Sequence, residues 1–163
     1  MWIRDEQPDD FHAVHAVTAA AFGQEDEAEL VARIRASEHY VPTLSFVAED
    51  DGVIHGHVML SYVSLAGAQV LELAPLSVAP ARQGEGVGSA LVHTALAAAD
   101  QHGEPLVLVL GNPAYYSRFG FVLASEHGIQ PPDDALAPAF QVALLHAYHE
   151  SVRGRVTWPP AFS

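Results

Sequence analysis

The chain has 163 residues, of which 50% are hydrophobic and 17% charged, enough for a substantial core in one folded domain and too apolar for a disordered segment. Its formal net charge is −13 and its seven basic residues are all arginine, which argues against nucleic-acid partners, whose phosphates need clustered Lys and Arg, and against polyanionic acceptors. The absence of cysteine excludes disulfides, thiolate zinc sites and a cysteine nucleophile, and no apolar run approaches the ~20 residues that cross a bilayer.

The N-terminal Met1-Trp2-Ile3-Arg4-Asp5-Glu6 carries no signal-peptide apolar core, so a cytoplasmic location without a membrane partner is expected. Trp2-Ile3-Arg4 reads as a short first strand. Pro8-Asp9-Asp10 opens an amphipathic helix with Phe11, Val14, Val17 and Ala21 on its apolar side. A second helix is expected over Asp26 to Ser37, striped by Leu30, Val31 and Ile34. Leu44 to Glu49 and Val53 to Ser61 read as paired strands around an Asp51-Gly52 hairpin turn. Val70 to Val78 is a third strand, interrupted by Pro75, which implies a bulge or lost pairing on one side. A helix over Gly88 to Gln101 turns Leu91, Val92, Ala95, Leu96 and Ala99 inward. Pro105 to Leu110 is a continuous apolar run, as for a strand buried on both faces. Strands near Phe121, over Phe140 to Leu145 and at Arg155-Val156-Thr157 follow, with a surface loop from Ile129 to Pro138. No repeat or linker divides the chain, so residues 1–163 are expected to form one α+β domain.

Between the third strand and its helix lies Gln83-Gly84-Glu85-Gly86-Val87-Gly88-Ser89. A glycine loop entering a helix leaves backbone N–H groups unpaired where the helix dipole favours negative charge, and so outlines a phosphate cradle. The plainer reading is a tight strand–helix turn. A P-loop needs Lys and then Ser or Thr after its last glycine, and this chain has no lysine. The dinucleotide fingerprint needs its third glycine where Ser89 or Leu91 stands. Both nucleotide readings fail. Gln83-x-x-Gly86-x-Gly88 instead resembles the Gln/Arg-x-x-Gly-x-Gly/Ala signature of the GNAT-type N-acetyltransferases. A second segment, Asn112-Pro113-Ala114-Tyr115-Tyr116-Ser117-Arg118-Phe119-Gly120-Phe121, resembles that family's later hallmark of a strand followed by Asn, a short Tyr-bearing helix and a closing Gly-Phe. The likeness is strongest over Val70 to Phe121 and loose elsewhere.

That resemblance implies a GNAT-like mixed, largely antiparallel sheet with a central splayed strand pair, flanked by helices. It implies acetyl-CoA as acyl donor and direct transfer to an amine, on a small molecule or a protein N-terminus. It also implies that the backbone of Leu76, Ser77 and Val78 binds the pantetheine arm, that Gln83, Gly84, Glu85, Gly86, Val87, Gly88 and Ser89 hold the pyrophosphate, and that Asn112 contacts the far end of the arm. Tyr116, four residues before Gly120, takes the position of the acid that protonates the departing thiolate and so also touches the cofactor; Tyr115 is the alternative, and packing is the plain reading of either. Glu72 matches a strand position where members of the family carry a base, against the plain reading of a solvent-facing residue.

His55 and His57 share one face of their strand and are expected to be satisfied strand residues without a metal. Arg82 and Arg118 flank the motifs as secondary phosphate partners or surface arginines. The acidic run Glu25-Asp26-Glu27-Ala28-Glu29 falls where the family builds its acceptor pocket, and reads more simply as a solvated helix face. An alternative function of another class is a non-catalytic acyl-CoA sensor. A homodimer is common in the family and compatible with this sequence.

Overall fold

Two tight turns start the sheet. In the computed structural model, which covers residues 1–163, Asp51 and Gly52 adopt φ values of 51° and 76°. These positive values match the twist of antiparallel strands, and they join β2 (Tyr40–Asp50) to β3 (Val53–Leu65). A second turn at Ala66 and Gly67, with φ of 49° and 88°, returns the chain as β4 (Ala68–Val78). β1 (Trp2–Asp5) adds to the outer side of β2.

Two helices follow β1, α1 (Phe11–Phe22) and α2 (Asp26–Arg35), separated by Gly23 in the left-handed region. Beyond β4 comes α3 (Val87–Gln101), then β5 (Leu106–Leu110), which pairs parallel to β4 as a strand–helix–strand connection requires. A single turn, α4 (Pro113–Tyr116), precedes the short strands β6 (Val122–Leu123), β7 (Ile129–Gln130), β8 (Phe140–Leu144) and β9 (Gly154–Thr157). The sheet runs β1-β2-β3-β4-β5-β8-β6, antiparallel along this path except at β4–β5, with β9 joining β3 beyond the end of β2 and β7 pairing parallel to β9. No helix is long and apolar enough to cross a membrane.

Both faces of the sheet are covered. Leu91, Val92, Ala95 and Ala99 of α3 pack on Phe46, Ala48, Val58, Leu60, Leu71, Leu73, Val107 and Val109. On the opposite face, Val14 of α1 and Val31 and Ile34 of α2 meet Val47 and Met59. The remainder of that face is closed by the C-terminal stretch around Phe140, Val142, Ile129 and Val156. Ile129 therefore lies fully buried in β7 rather than in a surface loop. It is a lone apolar residue before Pro131-Pro132, without the periodic neighbours that mark a strand in sequence.

The sheet opens at one place. β4 and β5 pair only over Leu71–Leu73 with Val107–Val109. In the β3–β4 register Val58 faces Leu76 and Leu60 faces Leu73, so Ala74 and Pro75 stand opposite the single residue Met59. This is the bulge that Pro75 announces, since proline cannot donate to the ladder. Past it, β4 stays on β3 and leaves β5.

Candidate active site

The opening between β4 and β5 continues into the glycine loop as one cleft. Ala79 N–H donates to His55 O at 2.8 Å on the β3 side. Antiparallel alternation then also turns the Ser77 backbone toward β3, and the backbone groups of Leu76 and Val78 toward the opening. Gln83 Nε2 spans the mouth and donates to Val78 O at 3.1 Å. Ser77 is fixed from the other side by a 3.1 Å hydrogen bond between its Oγ and Thr18 Oγ1 of α1.

Gly84 and Gly86 have φ of 80° and 87°, left-handed values that wrap the loop before α3. The first bond of that helix runs from Ala90 N–H to Gly86 O at 3.1 Å, so the N–H groups of Val87, Gly88 and Ser89 have no intrahelical acceptor. They line a cavity of about 470 Å³ shared with Leu76, Ser77 and Val78. From Gln83 to Ser89 every residue except Glu85 lines it; Glu85 instead accepts from Arg82 Nε at 2.9 Å. Gly88 contributes differently, by leaving room: a Cβ there would stand 2.6 Å from the Tyr115 hydroxyl.

The two arginines differ. Arg82 is paired with both Glu85 and Asp50, whereas Arg118 meets no carboxylate and lies over the Tyr115 ring, 4.4 Å from its centroid, at the edge of the same cavity.

A second cavity, about 460 Å³, meets the first at Phe22 and Leu76 and lies on the other side of the opening. It holds Glu72 and Tyr116. Glu72 follows the strand alternation onto the face opposite α3, where it is only 2% exposed, so the solvent-facing reading fails. Burial pushes its carboxyl up to about 7, although Trp158 Nε1 donates to Oε1 at 2.9 Å and opposes the rise. Tyr116 is packed edge-on against Tyr115 and Phe121, and burial with Tyr115 beside it raises its phenol to about 12. The adjacent tyrosines thus divide the cleft, Tyr115 on the glycine-loop side and Tyr116 on the Glu72 side. Asn112 lines neither cavity: its Oδ1 accepts from Ala114 N–H at 2.9 Å and caps α4.

Known proteins carry the same architecture. Residues 42–123 match the acetyltransferase (GNAT) domain family. An uncharacterized N-acetyltransferase of Escherichia coli K12, YhbS, is 38% identical over 148 residues, covering 89% of this chain and 87% of the relative. The chain belongs to the GNAT family of N-acetyltransferases. A second E. coli K12 relative, the uncharacterized N-acetyltransferase YjhQ, is 37% identical over 112 residues, 66% of this chain and 62% of its own. Crystal structures agree with the fold of this GNAT chain. E. coli YhbS in complex with CoA superposes with a TM-score of 0.92 at 34% identity, covering 99% of this chain and 91% of that one. A Brucella melitensis GNAT acetyltransferase in complex with acetyl-CoA gives 0.83 at 34% identity, covering 99% and 97%.

The splayed, mixed sheet of this GNAT chain is therefore as the sequence implied. What the sequence did not disclose is the second cavity's wall. Trp158 and Phe162 come from the last few residues, beyond any motif, Leu30 reads as an ordinary helix-stripe position, and Phe22-Gly23-Gln24 reads only as the break after the first helix. Of the acidic run, Glu27 lines the cavity, while Glu25 bonds His15 at 2.6 Å. His57 is committed elsewhere, its Nε2 2.9 Å from Glu6 Oε2 and 3.0 Å from Ser45 Oγ, and His55 lies in a separate cleft beside α1.

Proposed function

We propose that residues 1–163 form one N-acetyltransferase domain that moves the acetyl group of acetyl-CoA directly onto an amine, with no covalent enzyme intermediate. The observation that carries this is that the two cavities adjoin at Phe22 and Leu76. A cradle of unpaired N–H groups at the start of α3 opens, through the gap between β4 and β5, onto a buried carboxylate and a protonated phenol.

The residues present suit the donor. The N–H groups of Val87, Gly88 and Ser89, with the left-handed Gly84 and Gly86, suit a pyrophosphate, and the unpaired Arg118 adds a positive charge beside them. The backbone of Leu76 and the N–H of Val78, whose carbonyl already accepts from Gln83, suit an amide-bearing arm lying in the gap, and a Leu76 or Val78 N–H is placed to polarise the thioester carbonyl. Asn112, occupied as a helix cap, serves by positioning α4 and hence Tyr116. Acetyl-CoA supplies the activated acetyl group.

The chain's own groups manage the protons. Glu72 takes one from the incoming ammonium so that a neutral amine attacks, which a carboxyl near 7 can do at physiological pH. Tyr116, protonated at any working pH, gives its proton to the leaving sulfur and regains one from the nitrogen. An ammonium and a thioester thus become an amide and a thiol, and Glu72 releases the remaining proton to water.

Thermal melting with acetyl-CoA, CoA, ATP and NAD tests the cradle. A ligand that binds only the folded chain stabilises it by about 2.7 kcal/mol at 100 times its dissociation constant. Shifts with acetyl-CoA and CoA but not NAD, followed by amine-dependent thiol release, are the expected result. A shift without thiol release for any amine would make the chain a sensor, and no shift with CoA would overturn the donor assignment.

A further inference from the structure

We infer that the acceptor is a primary amine carried on an apolar body without an anionic group, an arylalkylamine or short alkylamine rather than an amino acid, peptide or polyamine. This rests on the acetyltransferase reading above and follows from the wall of the cavity that holds Glu72 and Tyr116.

That wall is strongly one-sided. Ten of its 14 lining residues are hydrophobic, and no arginine is among them. Arg33 lies outside the lining, its Nε donating to Ala161 O at 3.0 Å, and Arg35 is bound bidentately to Glu6. The only ionisable lining groups are Glu72 at depth, Glu27 and the Tyr116 phenol. An α-carboxylate or phosphate on the acceptor would enter a largely apolar space with two carboxyls and no cation. Burying such a charge without a partner costs several kcal/mol.

A polyamine fails for the opposite reason. Glu72 is the one deep carboxyl and Glu27, itself bonded by Gln24 Nε2 at 3.0 and 3.2 Å, the only other in the wall, so the third ammonium of a polyamine such as spermidine would lie against hydrocarbon without a carboxylate. A cavity of about 460 Å³ that also borders Leu73–Leu76 has room for a small body and not for a folded protein terminus.

What the wall does offer is aromatic area. The Trp158 and Phe162 rings stack at 5.9 Å with an interplanar angle of 27°, and Trp158 simultaneously donates to Glu72. A flat or aliphatic body lying on that pair would bring its amine to the carboxylate that must deprotonate it. Leu30 and Phe22 close the other side.

The test is thiol release by the intact chain with saturating acetyl-CoA and three acceptors: 2-phenylethylamine, phenylalanine, which differs from it only by the α-carboxylate, and spermidine. The expected result is a kcat/KM for phenylethylamine at least about 100-fold above that for phenylalanine, as an unpaired buried carboxylate demands, and above that for spermidine. Phe162→Ala should raise KM for phenylethylamine about tenfold with a smaller change in kcat. Equal or better use of phenylalanine or spermidine overturns the class, and so does failure of all three in a chain that acetyl-CoA still stabilises against melting. If acetyl-CoA does not stabilise the chain, the acetyltransferase reading falls first and the acceptor class with it.

Discussion

In the proposed reaction two side chains carry the proton traffic, and their environments make separable predictions. Tyr116→Phe keeps the packing against Phe121 and removes the donor, so kcat should fall by about 100-fold or more while acetyl-CoA still raises the melting temperature. Tyr115→Phe should not reproduce that loss, because its hydroxyl points to Gly88 rather than to the Glu72 cavity. Glu72 makes the pH prediction. The folded chain holds this proton up to about pH 7, whereas the unfolded chain releases it near the ordinary 4.5. Between these values the folded state binds more protons, so this residue lowers stability as pH rises through the window, and its full cost stands above about 7. Glu72→Gln should abolish most turnover and yet melt higher than wild type at pH 8, by up to about 3 kcal/mol, with no gain at pH 4. In the wild type, activity should rise with pH through about 7. Trp158→Phe removes the one hydrogen bond that lowers the Glu72 carboxyl, so that rise should move to higher pH, which a pH profile of kcat/KM reads directly.

At the scale of elements, the loop before α3 separates two uses of glycine. Gly86 has open space around it and needs glycine for its φ of 87°. Gly86→Ala should cost about 1–2 kcal/mol of stability, measured by denaturant titration. Gly88 has no such torsion but faces the Tyr115 hydroxyl, whose ring is held by edge contacts to Tyr116 and Phe119 and by Arg118 above it. Gly88→Ala should therefore weaken acetyl-CoA binding, by about tenfold in calorimetry, more than it lowers stability. The loop and the Pro75 interruption were legible in the sequence because each is a local backbone demand written in Gly and Pro. β7 was not, because its two residues gain their place only from pairing with β9 across the fold.

Across the whole molecule, a buried charge cluster ties together segments that the site depends on. Glu6, just after β1, accepts from Arg35 of α2 at 3.0–3.2 Å and from Tyr40 of β2 at 3.1 Å, and meets His57 of β3 at 2.9 Å. Burial alone would raise the Glu6 carboxyl, but the bonds from His57 and Arg35 outweigh it and hold the group down at about 2. A carboxyl depressed in this way contributes stability above the ordinary 4.5 that is lost as pH falls toward about 2. Glu6→Gln leaves Arg35 without its carboxylate and should cost about 3–5 kcal/mol at pH 7, with a melting temperature that changes less than wild type between pH 4.5 and 2.5. Because α2 presents Leu30 and Glu27 to the cavity that holds Glu72, proposed to take the acceptor, the same substitution should raise KM for the amine more than it weakens acetyl-CoA binding.

The sequence by itself determined the donor side of this protein. The glycine loop follows closely on the interrupted strand, and the tyrosine four residues before Gly120 follows closely on the Asn-Pro helix start, so within each of these two segments spacing sets geometry. It also set the alternation that puts Glu72 opposite Leu71 and Leu73, though not what covers that face. Only the tertiary structure decided that. Trp158, Phe162, Leu30 and Phe22 are separated by up to most of the chain's length and meet because α2 and the C-terminal stretch close over the same opening in the sheet. Local chemistry is readable from neighbours in sequence, whereas an acceptor pocket is made of surfaces brought together by burial, and its charge balance exists only once they meet.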